Sequence, residues 1–439
     1  MCSPIDICVV LSGAVAGWCD ALEKWGTMSL EKLLQPAIDL AENGFPVSTI
    51  TAFQWSTKAV VHMLQTKSEG GRDLLMPNGE APRTGDVFKN PNLAEVLRRI
   101  ARDGKDGFYS GPTADEIVKC IQSKGGLVDH EDLLANRTTF PKPLSINYKG
   151  VDVFEIPPNG QGITALIALK MLDGLEMPPV HNSVGHVHTL IEVMRIAFAD
   201  SRWLISDLEH SKIDPEIYLS EEYSATRRKI FNPNRQTVDV VRGSPSPETK
   251  SDTVQFCVVD SEGNACSFIQ SLYEAFGSAI APENCGFALQ NRGAGFTLQP
   301  DHPNVVAPSK RPYNTIIPGM ATKNGKLFGP FGVMGGFNQP QAHTQVIVNM
   351  VDFHMDPQTA LDVGRFCIKG GYPGGQVAVE TVVGEDCIEA LRQMGHNIEA
   401  VSDHNRSICG RGQIIRRLDN GVLIAGSDGR GDGCSAPLF

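Results

Sequence analysis

An α+β fold is what this chain of 439 residues predicts. Apolar residues ahead of residue 243 recur at helical spacing, whereas the apolar runs after residue 253 are short and β-branched. No alternating strand–helix pattern links the two halves, which disfavours a βα-repeating sheet. Between them, residues 243–252 are rich in Pro, Ser, Thr and charge and have the composition of a mobile connector.

The elements follow in order. Met28 to Asn43 sets Leu33, Leu34, Ala37, Ile38 and Ala41 at helical spacing, and Gly44 supplies the stop. Val151 to Ile156 has strand character. Gly160 to Leu172, opening after Pro157-Pro158, predicts a second helix. A longer one carries Val187, Leu190, Ile191, Met194, Ala197 and Phe198 on one stripe and closes near Trp203. Beyond the connector, a β-branched run opens on Thr253, turns through Ser261-Glu-Gly-Asn264, and returns as Ala265 to Leu272. Short strands then alternate with Gly/Pro/Asn turns, and a helix is expected at Asp356 to Val363. There is no internal repeat and no low-complexity tract.

Composition narrows the function. With 41% hydrophobic and 20% charged residues the chain is an ordinary globule, long enough for one large layered domain or several average ones. A net charge of −11 argues against nucleic acid or an acidic membrane as partner, since either wants a basic face. The longest apolar stretch, Ile7 to Trp18, is short, broken by glycine and preceded by Asp6, so it fits neither a membrane span nor a signal peptide. The eleven cysteines form no Cys-x-x-Cys pair. Cys120, Cys257, Cys266 and Cys367 lie in apolar runs, where a thiol acts as a small core residue. Free thiols point to a reducing, cytoplasmic compartment.

The junction at Thr253 carries chemistry. A loop that delivers a threonine to the start of a strand is what a self-cleaving N-terminal nucleophile enzyme needs. Cleavage of the Asp252–Thr253 bond frees one residue holding both a hydroxyl nucleophile and an α-amine to act as its base. As an ordinary alternative, Thr is a favoured strand residue and Asp-Thr is common at loop–strand junctions. No Gly-x-Ser-x-Gly elbow and no Gly-Lys-Ser/Thr phosphate loop offers a competing chemistry. His186-Val-His188 has no third ligand nearby, so no metal is expected.

The motifs around Thr253 raise the chemical reading. Asn284-Cys-Gly-Phe-Ala-Leu-Gln-Asn-Arg-Gly-Ala-Gly-Phe296, Lys310-Arg-Pro-Tyr-Asn-Thr-Ile-Ile-Pro318, Gly332-Val-Met-Gly-Gly-Phe-Asn-Gln-Pro340 and Ser427-Asp-Gly-Arg-Gly-Asp-Gly433 follow it in order. Together they resemble the small subunit of the γ-glutamyltranspeptidase family. Upstream, Gly13-Ala-Val-Ala-Gly17, Gly26 to Ala37, Gly125-Gly-Leu127, Pro157-Pro-Asn-Gly160 and Ala197-Phe-Ala-Asp-Ser-Arg202 resemble its large subunit.

The resemblance implies a four-layer αββα sandwich built by two autoprocessed subunits, 1–252 and 253–439, that stay associated and leave a higher oligomer open. It implies Thr253 as nucleophile and base, aligned through Val258-Val259-Asp260, with no cofactor. Gly335 and Gly336 match the paired glycines whose N–H groups hold the oxyanion, and Ser271 matches a threonine whose hydroxyl supports the nucleophile. Asn291 matches a substrate-binding asparagine, and Asn314 and Thr315 stand where the family has a serine pair facing the substrate carboxylate. Tyr313-Asn-Thr-Ile-Ile-Pro318 and Gln290-Asn-Arg-Gly293 look more like the family's hydrolase branch. The implied partner is a small-molecule amide with a short acidic acyl group, such as an oxamate-type or glutaryl amide, or a γ-glutamyl compound such as glutathione.

Two departures stand out. Arg292 and Gly295 occupy positions where the transpeptidases hold the donor's α-ammonium with acidic or amide side chains. Arg292 repels an ammonium and favours a carboxylate. The family also carries, ahead of the Gly13 motif, core strands and an arginine for the glutamyl α-carboxylate, which this chain is expected to lack. That favours the rival expectation of a truncated, inactive homologue acting as a scaffold, which the intact Thr253, Gly335-Gly336 and Lys310-Arg311-Pro312 oppose.

Overall fold

The computed structural model describes residues 9–237, 240 and 251–438; most of the expected connector lies outside them. The chain divides into two compact units, Met1–Phe140 with Leu272–Ala294, and Pro141–Ser271 with Gly295–Phe439. Each unit therefore draws residues from both sides of Thr253.

The first unit is helical. Leu30–Asn43 forms as expected, with Ser29 Oγ accepting the Lys32 N–H and Gly44, at φ 95°, ending it. Ile38 and Ala41 of the expected stripe are buried, whereas Leu33 is exposed. The helix packs on Pro91–Asp103, which buries Ala94, Val96, Leu97 and Ile100. Ile280, Cys285 and Leu289 complete this core.

The second unit is built on a six-stranded antiparallel sheet. Its order is Leu423–Ser427, Arg411–Arg417, Lys326–Met334, Gly319–Lys323, Val151–Glu155, Leu144–Tyr148. The expected strand at 151 is present, and its neighbour Leu144–Tyr148 was not foreseen, although Leu144, Ile146 and Tyr148 alternate inward at the period of a strand.

Helices cover one face. Gly162–Asp173 and Val184–Leu204 form close to their expected bounds, and ten of the twelve residues of the first are buried. Asn338–Val351 was not foreseen among the expected strands and turns. Residues 338–350 are all buried, so the helix shows no amphipathic stripe to read. Two of its glutamines are satisfied internally. Gln341 Nε2 donates to the Ile368 carbonyl at 3.1 Å and its Oε1 accepts the Ile368 N–H at 2.7 Å. One turn on, Gln345 makes the same pair with Phe366, at 3.1 Å each way.

A two-stranded ribbon, Ser251–Val259 with Ala265–Glu274, lies on the other face. Phe331 turns its ring to His343 of the 338–351 helix, with centroids 5.0 Å apart. The next residue, Gly332, faces the ribbon, where a Cβ would come within 2.7 Å of the Gln255 side chain. Ser267 Oγ donates to the Phe331 carbonyl at 2.9 Å, fastening ribbon to sheet. The second unit is thus layered helix, sheet, ribbon.

The ribbon strand begins at Ser251, two residues before the expected opening, so the Asp252–Thr253 peptide lies within a strand. The cysteine expectation needs one correction. All described cysteines are free, and Cys367 is buried and Cys120 and Cys257 half-buried, but Cys266 is exposed on the ribbon. Among the described residues no helix is long and apolar enough to cross a membrane.

Candidate active site

Strand alternation positions Thr253. Val254, Phe256 and Val258 are exposed, which turns Thr253 and Gln255 inward, where both are buried. Thr253 Oγ1 donates to Ser271 Oγ on the partner strand at 3.0 Å. The expected nucleophile and its expected support are therefore hydrogen-bonded neighbours. Gln255, two residues along, packs on Gly332, three residues before the glycine pair.

Gly335 and Gly336 form the turn between the Lys326–Met334 strand and the Asn338–Val351 helix. Gly335 has φ 137° and Gly336 φ 56°, a region that favours glycine. Gly335 also needs its missing side chain, since a Cβ would lie 3.2 Å from Gly410 Cα. The carbonyls hold the turn: Gly335 accepts from Asn338 N–H at 3.0 Å and Gly336 from Gln339 N–H at 3.1 Å. Both glycines thus stand at a helix N-terminus, where the macrodipole favours developing negative charge.

Gln161, which the sequence did not single out, ties this turn to the expected substrate loop. Its Nε2 donates to the carbonyls of Thr315 and Gly336, each at 2.7 Å, and its Oε1 accepts the Tyr313 hydroxyl at 3.0 Å. Gln161 is fully buried, and every hydrogen of its amide is engaged. Nearby, Asn159 Nδ2 donates to the Pro312 carbonyl at 2.7 Å, and Asn314 N–H to the Asn159 carbonyl at 2.8 Å. Asn314 uses its Oδ1 locally, accepting the Ile316 N–H at 3.2 Å. Tyr313 and Thr315 are buried.

Gly295 has a steric reason. A Cβ there would lie 2.5 Å from the Tyr313 carbonyl oxygen, so no side chain fits while the loop holds this course. Asn291 and Arg292 belong to the first unit. Asn291 is fully buried and grips Glu274, donating to Oε2 at 2.8 Å and accepting its N–H at 3.2 Å. The Arg292 guanidinium lies 4.3 Å from the Tyr273 ring centroid.

Two buried polar clusters brace the turn, and neither was foreseen. His343 Nε2 accepts the Val333 N–H at 3.0 Å, which places a proton on Nδ1 to donate to Glu155 Oε1 at 2.7 Å. Burial holds the Glu155 carboxyl above its ordinary range, with His343 opposing it. On the other side, Arg365 Nη2 donates to the Gly410 carbonyl at 2.9 Å and to Asp428 at 2.6 Å. Arg430 bridges Asp428, at 3.0 Å, and Glu380, which Arg406 also reaches at 3.0 Å. Burial works to raise the Asp428 and Glu380 carboxyls, but the arginines outweigh it and hold both below the ordinary range. Arg430 of the Gly429-Arg430-Gly-Asp432 stretch is thus part of the core wiring, while Asp432 is exposed. His186 and His188 face different neighbours: His186 Nδ1 accepts the Asn182 N–H at 3.1 Å, and His188 meets His396 at 2.8 Å.

Residues 8–438 match the family profile described as gamma-glutamyltranspeptidase. A glutathione hydrolase-like YwrD proenzyme of Bacillus subtilis is 34% identical, covering 99% of this chain and 81% of its own length. An oxamate amidohydrolase proenzyme of Klebsiella pneumoniae is 31% identical, covering 98% and 80%. Among solved structures, a cephalosporin acylase from Bacillus halodurans aligns with a TM-score of 0.89 at 38% identity, over 98% of this chain and 78% of that one. The α+β sandwich of N-terminal nucleophile hydrolases is shared.

Proposed function

The chain belongs to the γ-glutamyltranspeptidase family of N-terminal nucleophile amidohydrolases, and from that premise we propose that it is a self-processing threonine amidohydrolase acting on short acidic acyl amides. The supporting observation is the 3.0 Å hydrogen bond between Thr253 and Ser271, on a ribbon packed against the strand that runs into the Gly335-Gly336 turn.

In the precursor, Thr253 Oγ1 attacks the Asp252 carbonyl carbon. The C–N bond breaks, the nitrogen takes the hydroxyl proton, and an ester joins Asp252 to Thr253. Water cleaves that ester, giving subunits 1–252 and 253–439. Both compact units draw on both subunits, which keeps the pieces together. The new α-amine, of a type that titrates near ~7.7–8.0, then accepts the Thr253 hydroxyl proton as Oγ1 attacks the substrate amide. The N–H groups of Gly335 and Gly336 hold the oxyanion, the amine returns the proton to the leaving group, and water releases the acid.

Tyr313, Asn314 and Thr315 are assigned to the substrate loop, and Asn291 and Arg292 take substrate roles from their family positions. The oxamate amidohydrolase relative favours a small acidic acyl group, and the glutathione hydrolase-like relative a γ-glutamyl one. Gly295 leaves no room for the acid that transpeptidases use there, which favours hydrolysis over transfer. The test is amine release from oxamate, glutaryl-anilide and γ-glutamyl-anilide by wild type and Thr253→Ala, with and without glycylglycine. Release by wild type alone, giving free acid even with the acceptor present, is the expected result. Release by Thr253→Ala, or mainly transferred product, counts against the proposal.

A further inference from the structure

The helix Val184–Leu204 ends with a buried cation that lacks a counter-charge. Arg202 is 9% exposed, its Nη2 is buried without a hydrogen-bond partner, and no described residue makes a hydrogen bond or ion pair to its guanidinium. Acids close to it in sequence are engaged elsewhere. Asp200 pairs with Arg227 at 2.8 Å, and Asp207 accepts the Arg311 N–H at 2.9 Å. Three other buried arginines behave differently: Arg195 pairs with Glu192, and Arg365 and Arg430 with Asp428.

Aromatic rings surround Arg202 instead. Its Cζ lies 4.2 Å from the Phe337 ring centroid, 4.4 Å from Tyr372 and 5.7 Å from Tyr313. Ring faces attract a guanidinium and hold it rigid, but they do not neutralise it or satisfy its N–H groups. A desolvated charge of this kind is stable only when an anion completes it. The location says which anion. Phe337 follows Gly336 directly, and Tyr313 precedes the Asn314-Thr315 pair and is tied to Gly336 through Gln161. Arg202 therefore stands behind both the oxyanion turn and the substrate loop.

We propose that Arg202 binds the free carboxylate of the substrate's acyl group, inside a collar formed by Tyr313, Phe337 and Tyr372. This rests on the assignment of Thr253 and the Gly335-Gly336 turn to the reaction. It makes the substrate a short acyl amide whose far end is a carboxylate, the group a planar guanidinium fork matches in two parallel hydrogen bonds. The sequence offered Arg292 for such a carboxylate; Arg202 is a second cation for it, in the same unit as Thr253.

Glutaryl-anilide and pentanoyl-anilide differ only in a carboxylate against a methyl group at the far end of the acyl chain, and their kcat/KM ratio reads the contact. Wild type is expected to favour the glutaryl compound by about tenfold or more, which is the effect of one well-made charged contact. Arg202→Met should collapse that ratio mainly through KM for the glutaryl compound, and Arg202→Lys should retain part of it. A wild-type preference for pentanoyl-anilide overturns the proposal whether or not the variants fold. So does an unchanged ratio in Arg202→Met, which would leave the guanidinium a packing group only. Loss of the ratio together with amine release by Thr253→Ala would instead indict the nucleophile assignment.

Discussion

The ribbon that carries Thr253 and the Gly335-Gly336 turn proposed to face the oxyanion are supported at very different densities. On the ribbon, Val254, Phe256 and Val258 are 61%, 44% and 48% exposed, and the hydrogen-bonded sheet that holds Thr253 has two strands. Behind Gly335-Gly336, residues 338–350 are buried without exception, and Gln161, His343 and the Arg365–Asp428 pair fix the surrounding backbone. The difference suits two jobs. A residue that must change from chain-interior peptide to free terminus needs a strand that tolerates cutting. An oxyanion site gains from donors that do not reorganise.

Removing the densest support should cost most. Asp428→Ala leaves Arg365 and Arg430 without a shared acid, and the expected loss of stability is about 3–5 kcal/mol, measured by denaturant unfolding. The same cluster sets an acid limit. Because the folded Asp428 and Glu380 carboxyls titrate below their unfolded values, their stabilisation is complete above the ordinary carboxylate range and is lost as pH falls through the folded values. Unfolding midpoints measured downward from neutral pH should fall at the acid end, and less steeply in Asp428→Asn.

At the turn itself, Gly335→Ala should lower kcat by about 10²–10³-fold, equivalent to a missing oxyanion donor. Stability should change far less than in Asp428→Ala, because only one Cβ meets Gly410. A smaller effect is expected at the brace. Gln161→Met leaves the carbonyls of Thr315 and Gly336 short of a donor, at a cost of about 1–3 kcal/mol read by thermal unfolding, together with a fall in kcat. The ribbon's outer face should matter least. Phe256→Ser removes a stacked contact with Phe268, 4.9 Å between centroids, and should cost about 1 kcal/mol or less. A large loss there would show that the ribbon is more tightly held than its exposure implies.

Much of this architecture was legible because it is local. The helices at 162–173, 184–204 and 357–362 announce themselves through apolar runs and caps, Asp356 accepting the N–H groups of Gln358 and Thr359. Thr253 stood out as a loop–strand junction, and the glycine pair through its motif. The 338–351 helix was hidden because its polar residues look solvated in sequence, whereas Gln341, Gln345 and Asn349 bond to the backbone of residues 360–368 and His343 to Val333 and Glu155. Gln161 and Arg202 were hidden for another reason. The sequence shows Arg202 at the end of a motif and Gln161 just past one, but the partners that give them meaning lie more than a hundred residues away.

The central claim is that Thr253 becomes a chain terminus by its own chemistry. Purified wild type and Thr253→Ala, run on one denaturing gel with N-terminal sequencing of the smaller fragment, test it most directly. Two bands from wild type, the smaller beginning Thr-Val-Gln-Phe, and a single uncut chain from Thr253→Ala are the predicted result. Efficient cleavage of Thr253→Ala at the same bond, or a wild-type chain that stays whole, would contradict it.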